Sequence, residues 1–151
     1  TVHTNDSAGA VTRLLDMGIE PFLVASSLIG VLAQRLVRTL CPRCKIPFQP
    51  TPEQAREVGL TAEQAAGATL YHQGECDLCL KGYHGRAGVF ELLRVDDEVS
   101  QQVLDKASSN EIRQSAVKKG MRTLLADGRL KVLDGTTTIE ELVRVCQRDE
   151  I

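Results

Sequence analysis

Two C-x-x-C pairs, Cys41 with Cys44 and Cys76 with Cys79, are the residues of this 151-residue chain whose type and spacing most clearly could do chemistry. A C-x-x-C turn points two sulfurs to one side, and two such turns facing each other supply four thiolates in a tetrahedron. That set suits a zinc ion, which takes four soft ligands and leaves no position open, so the site is structural rather than catalytic. Arg43 and Lys45 at the first pair, and Lys81 and Arg86 after the second, can offset the double-negative charge of a four-thiolate centre. Loading it takes the formal charge from -2 to about -4, because four lost protons are met by one divalent ion. Two other uses of these thiols stay open: a pair of disulfides, or a redox dithiol. Zinc is favoured because the rest of the chain reads as intracellular, where structural disulfides are rare. A thioredoxin-like motif also needs only one C-x-x-C, placed at a helix start. His72 and His84 are close enough to be considered as ligands but read as solvated loop histidines. Cys146, at helical spacing from Ile139, Leu142 and Val143, reads as a small core residue.

Three segments must position these residues. Residues 1–40 read as mostly helical. Asn5 or Asp6 can cap a helix carrying Val11, Leu14 and Leu15 on one face, ended at Gly18. Pro21 suits the first turn of a second, buried helix along which Ala25, Leu28, Leu32 and Leu36 recur, with Arg35 and Arg38 near its negative pole. Residues 41–85 hold the cysteines. The pairs lie further apart than in compact zinc ribbons, and "TPEQ" at Thr51–Gln54 and "TAEQ" at Thr61–Gln64 account for the distance as two short helices opened by capping boxes. The stretch "ATLYHQGEC" reads as loop or short strand. Residues 86–151 begin with the strand-like "AGVFELLRV", continue through three helices, the last closed by Gly135, and end in a helix capped by Thr138 with Glu141.

Composition excludes several classes. With 42% hydrophobic and 25% charged residues the chain is globular, and with aromatics at 3% its core must be built from Leu, Val, Ile and Ala. A charge of -2 gives no electrostatic case for nucleic acid. The longest apolar run, "PFLVASSLIGVLA", is too short and too rich in Ser to span a bilayer, and no signal-peptide pattern is present. The opening "TVHTND", strand-like and without Met, reads as the start of a fragment.

Three longer stretches carry a resemblance: "HTNDSAGAVTRLLDMGIEPFLVASSLIGVLAQRLVRTLCPRC", "CDLCLKGYHGRAGVFELLRVDD" and "GMRTLLADGRLKVLDGTTTIEELVRV". Together they resemble the C-terminal part of the bacterial ATPases that drive type II secretion and type IV pilus assembly, with their tetracysteine zinc subdomain. "SSLIGVLAQRLVRTLCPRC" looks closer to the type II secretion group (general secretory pathway protein E) than to the pilus group. The resemblance implies a parent with an α/β, RecA-like P-loop core that binds ATP and Mg2+ and forms a homo-hexamer. This fragment is then mainly α-helical with a few strands and an inserted zinc-binding subdomain. Residues 1–40 end the core, 41–85 form the zinc subdomain, and 86–151 supply the last core strand and a C-terminal helical part. The implied location is cytoplasmic and peripheral to the bacterial inner membrane, against platform proteins of the secretion system.

Carried over residue by residue, "HTN" matches the end of the family's histidine box. That implies a role for His3 near the terminal phosphate, although a strand-end histidine with a packing role is the plainer alternative. In "GRAGVFELL", Arg86 falls where the family keeps an arginine close to nucleotide; neutralising the thiolates is its competing role. The chain has no G-x-x-x-x-G-K-[ST] loop and none of the family's acidic, magnesium-holding motifs, so these residues alone are not expected to hydrolyse ATP. The alternative of another class is a zinc-ribbon module for nucleic acid. It would need basic and aromatic knuckles, and Phe48, Tyr71 and Tyr83 stand among few Lys and Arg and at least as many acids. A dithiol oxidoreductase would need an exposed, acidic thiol.

Overall fold

The computed structural model describes residues 4–146, which divide into two compact units: residues up to 33 with 90–123, and residues 34–89 with those from 124 on. In the first unit, Asp6 caps α1 (Ser7–Asp16) by accepting the Gly9 N–H at 2.7 Å, and Gly18 follows its end at φ +85. Pro21 opens α2 (Pro21–Ser27), Asp96 caps α5 (Asp97–Leu104), and Ser108 and Glu111 form a reciprocal box on α6 (Ser109–Lys118). Helical spacing then turns apolar stripes inward. Ala8 and Val11, Val99 and Val103, and Ile112 and Ala116 are buried together with Val24 and Leu93. Leu14 and Leu15 pack against that core.

The second unit holds β2 (Ile46–Phe48), α3 (Pro52–Glu57), α4 (Ala62–Gly67), β3 (Leu70–His72), α7 (Leu124–Leu133) and α8 (Ile139–Cys146). Both capping boxes in this insert form: Thr51 with Gln54 opens α3, and Thr61 with Gln64 opens α4. The two helices fill the chain between β2 and β3, which pair antiparallel with Ile46 opposite His72 and Phe48 opposite Leu70. Val37, Leu40, Val58, Leu70, Val132, Ile139 and Leu142 are among its buried side chains. Two longer strands, β1 (Gly30–Leu40) and β4 (Tyr83–Arg94), pair with each other in a separate two-stranded sheet.

The second helix expected from Pro21 through Leu36 is corrected here: it ends at Ser27, and residues from Gly30 are strand. A spacing of four keeps residues on one face of a helix but also on one face of a strand, so Leu28, Leu32 and Leu36 fit both periods. Hydrogen bonding to β4 decides for the strand. Nor is that helix buried all round, since Phe22 and Leu23 are exposed and only Val24 is fully inside. The capping box at Thr138 is half formed. The Thr138 hydroxyl accepts the Glu141 N–H at 3.1 Å, but the Glu141 carboxylate turns to Arg38 and Arg144 instead of its own N-cap. Cys146 is half-buried rather than a core residue. Eight helices and two small sheets among the described residues make the chain mixed, with helices in the majority. No helix among them is long and apolar enough to cross a membrane.

Candidate metal centre

The first cysteine pair sits where β1 ends. The Cys41 carbonyl accepts the Lys45 N–H at 3.1 Å and the Cys44 N–H at 3.4 Å, a turn that brings both side chains to one side. The chain passes at once into β2. Its partner β3 leads, four residues beyond His72, to Cys76, so the ladder between Ile46 and His72 brings the two knuckles to one end of the hairpin. The Cys41 N–H also donates to the Gly82 carbonyl at 2.8 Å, tying the first knuckle to the exit of the second. Two glycines make this approach possible. A Cβ on Gly74 would overlap the Cys44 carbonyl oxygen, and Gly82, at φ +79, would drive a Cβ into Gln73 and the Gly74 carbonyl.

The four sulfurs lie within 4.8 Å of one another. Neighbouring Sγ atoms are 3.4 Å apart for Cys76 and Cys79, 3.6 Å for Cys44 and Cys79, and 3.8 Å for Cys41 and Cys76. A zinc ion about 2.3 Å from each corner of a sulfur tetrahedron sets those edges at about 3.8 Å. The residues therefore fit that ion, and Cys41, Cys44, Cys76 and Cys79 are the ones that would hold it. None of the cysteines is in a disulfide. Cys41 is buried and the other three are half-buried.

Crowding among the thiols is visible in their acidities. Burial pushes the Cys44 thiol up to about 12, helped by hydrogen bonds with Cys79 and Cys76. Cys76 is also raised: the backbone hydrogen bond at Leu78 pulls it down, and its bond with Cys79 together with burial outweigh that pull. For Cys79, burial alone raises the thiol, but hydrogen bonds from Cys76 and Cys44 outweigh it and lower it. A divalent ion would make all four thiolates favourable at once. A metal held by four thiolates would have no coordination position left for substrate, so it would serve to hold the fold.

The flanking cations divide between different tasks. Lys45 donates to the Gly135 carbonyl at 3.1 Å and lies 4.1 Å from the Tyr71 ring centroid, so it serves packing as well as charge. Arg43 is exposed. Lys81 and Arg86 line a groove with Cys79, Arg38, Tyr83 and His84, where Arg86 and His84 are exposed to solvent. His72 stacks on Phe48 with ring centroids 3.6 Å apart and holds Nδ1 3.7 Å from Glu140. Neither His72 nor His84 joins the sulfur cluster. His3 lies outside the described residues.

Sequence reasoning missed what supports the knuckles: Tyr83, the Arg38–Glu141 pair, and Gly74 with Gly82. The Arg38 guanidinium lies 4.1 Å over the Tyr83 ring and donates to Glu141, whose side chain is fully buried. Of these, only the glycines could have been noticed, as "QGEC" and "KGYHG" place them beside the second pair.

The chain matches the family model for type II/IV secretion system proteins over residues 1–144. Among similar proteins, the type II secretion system protein E of Dickeya dadantii is 51% identical over 150 residues, covering 99% of this chain and 29% of that protein. The type IV pilus assembly ATPase PilB of Thermus thermophilus is 48% identical over 144 residues, 95% of this chain and 16% of that protein. The type II secretion system ATPase E of Vibrio cholerae is 45% identical over 146 residues, 96% of this chain and 28% of that protein. The chain spans less than a third of the length of these relatives. All three come from secretion or pilus systems, and the zinc-ribbon nucleic-acid alternative gains no support from them.

Proposed function

The chain belongs to the type II/IV secretion system protein family, and on that premise we propose that it is the C-terminal module of a cytoplasmic, hexameric ATPase that powers type II protein secretion by assembling a pseudopilus. Residues 1–40 end a RecA-like core, 41–85 form its zinc-binding subdomain, and 86–151 supply the last core strand and a C-terminal helical part. Structural Zn2+ binds Cys41, Cys44, Cys76 and Cys79, which ties the two arms of the insert together. ATP and Mg2+ bind mainly to parts of the longer protein. Arg86 meets the nucleotide from this module, its planar guanidinium suited to fork onto phosphate oxygens. His3 responds to the terminal phosphate. Closure of neighbouring subunits on nucleotide moves these C-terminal segments, and the work is delivered to platform proteins at the bacterial inner membrane.

The observation that carries this reading is the 51% identity to a type II secretion system protein E along 99% of the chain. A 48% identity to a pilus assembly ATPase favours a second reading, in which the same module serves type IV pilus assembly. Deleting the gene in its host separates the two. Loss of exoprotein secretion with pili intact is expected, and loss of pili with secretion intact would overturn the type II assignment. The full-length protein should hydrolyse ATP, and Arg86→Ala should lower its turnover without releasing zinc.

A further inference from the structure

The turn between α7 and α8, residues 135–138, receives polar contacts from the segments on both sides of the sulfur cluster. Ahead of the first knuckle, the Leu40 N–H donates to the Thr136 carbonyl at 2.8 Å, and the Thr137 hydroxyl donates to the Arg38 carbonyl at 2.8 Å. Just past that knuckle, Lys45 donates to the Gly135 carbonyl. Beyond the second knuckle, the Tyr83 hydroxyl lies 3.0 Å from Thr138 Oγ1. That same Oγ1 accepts the Glu141 N–H in the first turn of α8, and Thr137 and Thr138 have no exposed surface.

We propose that this turn is a latch through which occupancy of the metal site sets the order of α8. The inference rests on the metal reading above. The hairpin that brings the knuckles together has three residue pairs, too few to hold two arms in register without help. Once the ion is gone, only thiol contacts and the bond from the Cys41 N–H to the Gly82 carbonyl join the arms at the knuckles. Arg38 and Leu40 stay in β1, paired with β4, while Lys45 and Tyr83, one and four residues from a ligand, loosen from the turn. Helix α8 is eight residues long, well short of what persists unaided. It keeps Ile139 and Leu142 in the core but loses the Tyr83 and Lys45 contacts at the turn that opens it. The consequence of metal binding thus extends beyond the insert, to a helix some 60 residues further along the chain than the last ligand.

Hydrogen exchange of the full-length protein, before and after a chelator and with zinc content followed on the same samples, tests the latch. Amides of residues 139–146 should exchange about tenfold faster once zinc is removed, the scale of one or two net hydrogen bonds. Tyr83→Phe keeps the ring beneath Arg38 and removes only the hydroxyl, and Lys45→Met removes the contact to Gly135. Each should retain zinc while α8 exchanges faster than in the unmodified protein; if one variant does not fold, the other carries the measurement. Unchanged exchange on zinc removal overturns the latch while leaving the metal site standing. So does a zinc-loaded variant whose α8 exchanges like the parent. A protein that contains no zinc and takes none up overturns the metal assignment, and the latch with it.

Discussion

Replacing Glu141 by Gln isolates the polar contact that ties α8 to the first knuckle. The Glu141 carboxylate has no exposed side-chain surface and accepts from the Arg38 N–H at 3.0 Å, from Arg38 Nε and Nη2 at 3.0 and 2.8 Å, and from Arg144 Nε and Nη2 at 3.0 and 2.6 Å. Burial by itself pushes the carboxyl up, but hydrogen bonds from Arg144 and Arg38 overcome it and hold the group at about 2, against an ordinary 4.5. A depression of that size corresponds to about 3 kcal/mol in favour of the ionised, folded state. Both guanidinium heads are partly exposed, at 43% and 47%, and solvent screening trims the figure toward about 2 kcal/mol. Gln has nearly the same volume and one acceptor oxygen, so the loss reports charge rather than a cavity. Urea unfolding followed by circular dichroism should place Glu141→Gln about 2 kcal/mol below the unmodified protein at pH 7, or roughly 4–8 °C in melting temperature. The sign with pH is set by the depressed acidity. The contribution is complete above the unfolded value near 4.5 and fades as pH falls toward 2, so the gap between the two proteins should stay constant from pH 7 to pH 5. A loss under about 0.5 kcal/mol, the size expected of an exposed pair, refutes the reasoning. A gap that closes between pH 7 and pH 5 refutes it as well.

Four further outcomes are expected. Cys41→Ser or Cys79→Ser should abolish stoichiometric zinc by elemental analysis and lower the melting temperature sharply, because metal-binding free energy at a closed site is folding free energy. Gly82→Ala, strained at φ +79 and driven against Gln73, should cost about 2 kcal/mol or more by urea unfolding and weaken zinc binding in a chelator competition. Zinc should be released as pH falls, since protons compete for the thiolates; release followed with a metal-sensitive dye should begin above the window in which Glu141 titrates. Lys119→Ala, which removes ion pairs to Asp96 and Glu98 at 2.7 and 2.8 Å on the surface, should leave the urea midpoint essentially unchanged.

The four-cysteine cluster and the capped helices could be read directly from the amino-acid order, because both depend on residues a fixed number of positions apart. A C-x-x-C spacing orients two sulfurs whatever surrounds it, and Thr51 with Gln54, Thr61 with Gln64, and Asp6 ahead of α1 satisfy backbone donors within their own turn. The spacing of Leu28, Leu32 and Leu36 could not be resolved in the same way. It fits a helix and a strand alike, and pairing with β4, some 50 residues away, decided between them. The fate of Glu141 was equally hidden. Its local pattern points to a reciprocal cap, but a distant arginine forms a stronger, charge-assisted contact with the same carboxylate. What short spacing encodes, the sequence alone determined: four clustered thiols and the cap positions. Which faces are buried, how closely Gly74 and Gly82 let the knuckles approach, and which side chains brace them depend on contacts between segments far apart in the chain, and those only the tertiary structure decided.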